Sequence, residues 1–181
     1  YDLVCANGDK LTTGFLGTPY LCDALSENGY PQKAFDLILQ EEYPSWLYAV
    51  KMGATTIWEH WDGIRPDGTF WSESMNSFNH YAYGAVASFF YQKIGGIVPI
   101  EPGYRKIRIQ PMPDRRISYA KAAIDTVYGV VKSEWQTENG TFFLTVTVPC
   151  NTTAEICLPD GTVHRRGSGC WRFTCADTDE M

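Results

Sequence analysis

No apolar run in this chain approaches the roughly 18 residues of a membrane-spanning helix. Positive charge is also scarce: 15 Lys and Arg stand against 21 Asp and Glu, a net of −6. A nucleic-acid binder needs a basic face, and none is legible. The first residues lack the basic, apolar and small-residue order of a signal peptide. They open on Tyr1 rather than Met, so the chain is expected to be a piece of a longer polypeptide. Neither GxGxxG nor a Walker spacing occurs, and Gly14-Phe15-Leu16-Gly17 reads as a loop before a helix rather than a phosphate site. The three histidines form no HExxH-type arrangement with Glu59, which excludes that route to a metal centre. Six cysteines (5, 22, 150, 157, 170, 175) include no CxxC pair and are read as small buried apolar residues. Cys170 and Cys175, five apart on an expected strand, point to opposite faces and should not pair.

What is present is an ordinary globular composition, 44% apolar and 20% charged over 181 residues. A chain of this size buries about 70% of its unfolded surface, enough for a real core. Charge is placed unevenly. Residues 1–96 hold 5 basic and 11 acidic side chains, whereas residues 97–181 hold 10 of each. Four of the six Trp also fall in the first part. A domain boundary is therefore expected at Gly95-Gly96, giving a first domain of 1–96 and a second of 97–181.

The first part reads as helical. Thr18-Pro19 looks like a capping hydroxyl followed by Pro at the first helical position. Leu21, Ala24 and Leu25 are expected on one face, and Gly29 as the stop. A second helix from Pro31 would turn Ala34, Phe35, Ile38 and Leu39 inward, making an antiparallel hairpin. A short helix is expected over Ser45 to Met52, another helical piece near Thr55-Thr56, loop from Asp62 to Ser77, and a longer helix over Asn79 to Ile94. That helix would bury Ala82, Val86, Phe89 and Phe90. From Tyr104 the period changes to two. Strands are expected at 106–110, 117–124, 126–137, 142–148, 154–158, 162–166 and 170–175, with a hairpin turn at Asn139-Gly140. This spacing suggests an antiparallel sandwich. Arg115-Arg116 and Arg165-Arg166 read as solvated sheet surface. Asn139-Gly140-Thr141 and Asn151-Thr152-Thr153 match the glycosylation pattern.

Chemistry concentrates in two segments. Gly53 to Asp62 places Glu59 between Trp58 and Trp61, with His60 adjacent. Indole walls can desolvate a carboxylate and hold it as a general base or acid, and aromatic faces suit the C–H faces of sugars. Thr56 and Glu59 equally fit a capping box, a purely structural role. Asn76 to Gly84 carries His80 near the expected helix start, where the helix dipole favours a neutral imidazole able to bond a hydroxyl ligand.

Four blocks occur in order: Leu11 to Cys22, Tyr43-Pro44-Ser45-Trp46-Leu47-Tyr48, Gly53 to Trp61, and Met75 to Gly84. Together they resemble the bacterial α-L-rhamnosidases of glycoside hydrolase family 78, and Ile97 to Leu158 resembles that family's C-terminal sandwich. The resemblance implies an α+β multidomain fold, the C-terminal part of an (α/α)6 barrel followed by an antiparallel β-sandwich. It implies an inverting hydrolase releasing terminal L-rhamnose from rhamnosides. Glu59 falls on the general base, His80 on a histidine lining the rhamnose pocket, and Trp58 and Trp61 flank the base. The position after Glu59, often Arg in the family, is His60 here. The general acid would lie in a preceding barrel half, so the partners implied are an L-rhamnose-containing glycoside and the N-terminal part of the same polypeptide. No metal or organic cofactor is implied. The isolated chain is then expected to be inactive and to expose Phe35, Ile38, Phe89 and Phe90. A non-catalytic carbohydrate-binding module and a purely structural domain stand beside this reading. The first would need a complete Trp-lined groove, the second a Glu59 that only caps a helix.

Overall fold

The computed structural model describes residues 1–177. Its contacts divide the chain into two compact units, Tyr1–Ala87 and a second beginning at Ser88.

The first unit holds the short helices α1 (Asp2–Ala6), α2 (Thr18–Glu27), α3 (Pro31–Ile38) and α4 (Trp46–Lys51). α2 and α3 form the expected hairpin, and Phe35 and Leu37 are fully buried at its heart. The cap of α2 differs from expectation: Gly17 is the cap, and Thr18 is the first helical residue. The Thr18 hydroxyl is buried and donates to the carbonyl of Gly14 at 2.9 Å, so it closes the preceding turn instead. The buried face of α2 is Thr18, Cys22 and Leu25; Ala24 is exposed. At α4 the Ser45 hydroxyl accepts from the Tyr48 N–H at 3.0 Å, an ordinary N-cap.

No helix forms at Thr55-Thr56. The helix expected over Asn79 to Ile94 starts later and is irregular: a 3-10 turn at Ala82–Ala85, an α-helical turn α5 at Val86–Phe89 and a π-helical turn at Phe90–Ile94. Val86 and Phe89 are buried in it, as expected, whereas Phe90 is exposed. Phe35, Ile38 and Phe89 are 0%, 6% and 2% exposed, so the apolar face expected of the isolated chain shrinks to Phe90 alone among those four.

Among the described residues the second unit is a β-sandwich of eight strands: β1 (Ile97–Pro99), β2 (Lys106–Ile109), β3 (Tyr119–Thr126), β4 (Gly129–Glu138), β5 (Thr141–Val148), β6 (Thr153–Cys157), β7 (Val163–Arg166) and β8 (Gly169–Ala176). One sheet runs β1-β2-β6-β7 and the other β3-β4-β5-β8. Every pairing is antiparallel except β2 with β6, which is parallel, with Ile107 opposite Ala154. The parallel pair departs from the all-antiparallel expectation because β6 returns beside β2 only after the whole β3–β5 meander. Inward residues alternate: Ile107 and Ile109, Val131 and Trp135, Phe142, Leu144, Val146 and Ile156 form one closed core. Asn139 and Gly140, at φ 50° and 71°, make the left-handed pair that a tight hairpin between β4 and β5 requires. Gly95 and Gly96 are packing residues of this unit. A Cβ on Gly96 would fall 2.2 Å from the Pro111 nitrogen, and one on Gly95 2.5 Å from the Ala122 methyl.

Two further expectations are corrected here. Of the cysteines only Cys22 is buried; Cys5, Cys150 and Cys170 are exposed, Cys157 and Cys175 half-buried, and all six are free thiols. Arg116 is not simple sheet surface. Its guanidinium grips the buried Asp114 carboxylate with two contacts of 2.7 Å. Burial would raise that carboxyl, but the hydrogen bonds and charge of Arg116 prevail and hold it below the usual range.

Candidate active site

The site segment runs from Gly53 to Tyr81, within the first unit, and has no regular helix or strand of its own. It is held by individual hydrogen bonds. The Glu59 N–H donates to the Ser77 carbonyl at 2.9 Å, and the His80 N–H to the Ile57 carbonyl at 2.8 Å. The Thr56 hydroxyl donates to the Phe78 carbonyl. Residues 56–59 and 77–80 therefore lie side by side, which brings the Glu59 and His80 segments together across some twenty residues of intervening loop. The capping-box alternative is not realised: no helix starts at Thr56, and its hydroxyl is spent on the loop.

Glu59 is about a quarter exposed. Its Oε2 accepts the Ser77 N–H at 2.9 Å. Its Oε1 stands 4.0 Å from Nε2 of His60, beyond direct hydrogen bonding. The His60 ring lies flat on Trp71, with centroids 3.6 Å apart and planes 13° apart. The His80 ring stacks on Phe15 at 4.7 Å and lies parallel to that of the exposed Tyr81 at 5.6 Å, and its Nδ1 faces the Ala82 N–H at 3.4 Å. Trp61 is half-buried, stacked on Tyr83 at 3.8 Å and edge-on to Trp46 at 5.3 Å. Trp58 is only 6% exposed, packed edge-on against Phe78. Burial pushes the Tyr48 and Tyr83 hydroxyls up, and the Tyr48 hydroxyl donates to the Ile64 carbonyl at 3.0 Å. The arrangement offers the part-exposed Glu59 carboxylate, two imidazoles and a floor of aromatic rings, suited to holding a polyol and moving a proton.

A family model, the bacterial alpha-L-rhamnosidase 6 hairpin glycosidase domain, matches residues 1–94, just over half of the chain. The chain belongs to this family. A second model, the bacterial alpha-L-rhamnosidase C-terminal domain, matches residues 96–169. An alpha-L-rhamnosidase of Streptomyces avermitilis is 43% identical over 94% of this chain and 18% of its own length. One of Formosa agariphila is 48% identical over 83% of this chain and 16% of its own length. The crystal structure of the Streptomyces avermitilis alpha-L-rhamnosidase complexed with L-rhamnose superposes with a TM-score of 0.92 at 42% identity, over 96% of this chain and 19% of that one. The native Aspergillus terreus enzyme gives 0.93 at 38% identity, over 97% of this chain and 21% of that one. This chain thus spans less than a fifth of the length of the curated rhamnosidases it matches.

Within this rhamnosidase family segment, reading the residues alone overlooked three supports. Ser77 supplies the N–H on Glu59, Phe15 covers one face of His80, and Gly63 permits close packing. A Cβ on Gly63 would sit 3.1 Å from the Trp58 ring and 3.2 Å from that of Phe78. Ser77 and Phe15 lie inside the blocks that carry the resemblance, but nothing in their local pattern announces a partner sixty residues away or a backbone donor. Among the described residues, no group of three His, Cys, Asp or Glu side chains is placed to hold a metal ion.

Proposed function

We propose that this chain is the carboxyl-terminal portion of an inverting α-L-rhamnosidase, with residues 1–96 closing an (α/α)6 barrel and residues 97–181 forming the sandwich after it. Glu59 is its general base. The observation that carries this reading is the Glu59 carboxylate, fixed at one oxygen by the Ser77 N–H and left a quarter exposed beside the His80 segment. Inversion needs two carboxyl groups about 6.5–9.5 Å apart, one ionised to activate water and one protonated to assist departure of the aglycone. Glu59 takes the first role. The acid is supplied by the preceding part of the polypeptide. His80, braced by Phe15, bonds a rhamnose hydroxyl. Trp61 offers a partly open ring edge to the sugar, and the buried Trp58 supplies the apolar wall beneath the base.

Steady-state kinetics of the full-length enzyme on an aryl α-L-rhamnoside test this. Glu59→Gln should lower kcat by about 10²–10⁴-fold, as loss of a general base does, while rhamnose still binds. A kcat near the parent value would remove Glu59 from the mechanism. His80→Ala should weaken rhamnose binding by about 0.5–1.5 kcal/mol, with little change in melting temperature. The isolated 181-residue chain should not turn over the substrate. Activity within tenfold of the parent would require a complete acid–base pair inside it.

A further inference from the structure

A carboxylate held at one oxygen can still swing about that contact; a fixed polar group facing the other oxygen biases its plane electrostatically. Ser77 provides the first contact, on Oε2. On the other side, Nε2 of His60 stands 4.0 Å from Oε1. His60 does not hang free, because its ring lies on Trp71 at 3.6 Å. Trp71 is in turn tied to the same anchor as the Ser77 arm. The Gly63 carbonyl accepts both the Trp71 N–H, at 3.1 Å, and the Asn76 amide, at 2.9 Å, and Asn76 immediately precedes Ser77. The two groups that bracket Glu59 are therefore suspended from one carbonyl. That carbonyl is itself immobilised, since Gly63 packs against Trp58 and Phe78 with no space for a side chain.

We infer that His60, clamped by Trp71, is a positioning residue for Glu59 that sets the direction of its accessible oxygen. The inference rests on Glu59 being the base. It assigns a role to the one side chain in the Trp58–Trp61 block whose type departs from the family pattern. The stack on Trp71 holds the imidazole with its Nε2 facing Oε1 across 4.0 Å, within electrostatic range but short of a hydrogen bond.

The test uses the full-length enzyme and an aryl α-L-rhamnoside. His60→Leu keeps bulk against Trp71 and removes the polar nitrogen facing Glu59; His60→Gln keeps an N–H donor. His60→Leu should lower kcat at least about tenfold, as a misplaced reacting group does, with KM and inhibition by free rhamnose changed less than twofold. His60→Gln should recover most of that loss. Trp71→Ala should lower kcat in the same direction. In a Glu59→Gln background, His60→Leu should cost less than a further twofold, because no base remains to orient. A parent-like kcat for His60→Leu overturns the inference. So does a loss that multiplies in full on Glu59→Gln, or one that Gln does not relieve, since either marks a packing role. Failure of the base assignment itself would show separately, as turnover retained by Glu59→Gln alone.

Discussion

The sandwich and the site segment solve the same problem, satisfying buried backbone, in opposite ways. In the sandwich a repeated ladder does it: β4 and β5 pair continuously from Lys132 with Thr147 to Glu138 with Thr141. Any one rung resembles the next. Between Gly53 and Tyr81 the only ladder contact is the isolated pair Ile64 and Phe70. There, individual side chains bond single backbone groups, as Thr56 does with Phe78 and the Asn76 amide N–H with Gly63, while Oδ1 of Asn76 stays buried without a hydrogen bond. Substitutions in the sandwich should therefore be read out as stability, and those in the loop as catalysis.

The largest stability effect should come from Phe142→Ala, which empties a fully buried position. It should cost about 3–5 kcal/mol in chemical denaturation of the chain. A cost below about 1 kcal/mol would mean that the ladder, rather than the apolar core, dominates the sandwich. Next comes Arg116→Ala, which strands the Asp114 carboxylate at 1% exposure. Its partner is partly exposed, so the cost should be about 2–4 kcal/mol at neutral pH, somewhat below the roughly 3–5 kcal/mol of a fully buried pair. The pH dependence sharpens this. Asp114 titrates low when folded, so its contribution is fully present above the ordinary Asp pKa of about 3.9 and is lost as pH falls through the folded value. In Arg116→Ala the destabilisation should instead ease on acidification, as the stranded carboxyl takes up a proton.

In the loop, Gly63→Ala should cost about 1–3 kcal/mol, because the new methyl meets two rings. Activity of the full-length enzyme should fall further than this implies, since Gly63 carries the anchor for both arms of Glu59. Activity lost only in proportion to the unfolded fraction would break the comparison. The smallest effect should be Gly140→Ala. A side chain at φ 71° costs about 1 kcal/mol in melting experiments and should leave turnover untouched.

The sandwich was largely legible in the sequence because a period of two is imposed by its own geometry. The expected strand at 142–148 is found at Thr141–Val148, and the Asn139-Gly140 turn sits where its chemistry demands. β1 went unseen because three residues carry no period, and the parallel β2–β6 pairing because register across forty residues leaves no local mark. Cys157, Cys170 and Cys175 depart from the expected burial because a strand thiol is buried only on the inward face, and Cys5 and Cys150 because a short helix and a turn leave them exposed. In the first unit, α2 to α4 were readable from Pro, Ser and Gly punctuation. Thr56 and Glu59 fitted a capping box, and only the tertiary partners at Phe78 and Ser77 decide otherwise. The residues of the candidate site are legible as types; the groups packed around them are not, because Ser77 acts through its backbone and Gly63 through an absence.

Neither sheet of the sandwich is continuous along the chain. β1 and β2 must wait for β6 and β7, and β3 to β5 must wait for β8. A cut between any two neighbouring strands from β2 to β8 therefore leaves at least one sheet missing a member, so the unit has no severable half. β8 shows what is at stake. It pairs along all of β5, from Thr141 with Ala176 to Val148 with Gly169, and closes that strand's outer edge. Ending the chain at Ser168 would bare eight residues of β5, a strand rich in Val, Phe and Thr, and turn a protected interior strand into a template for self-association.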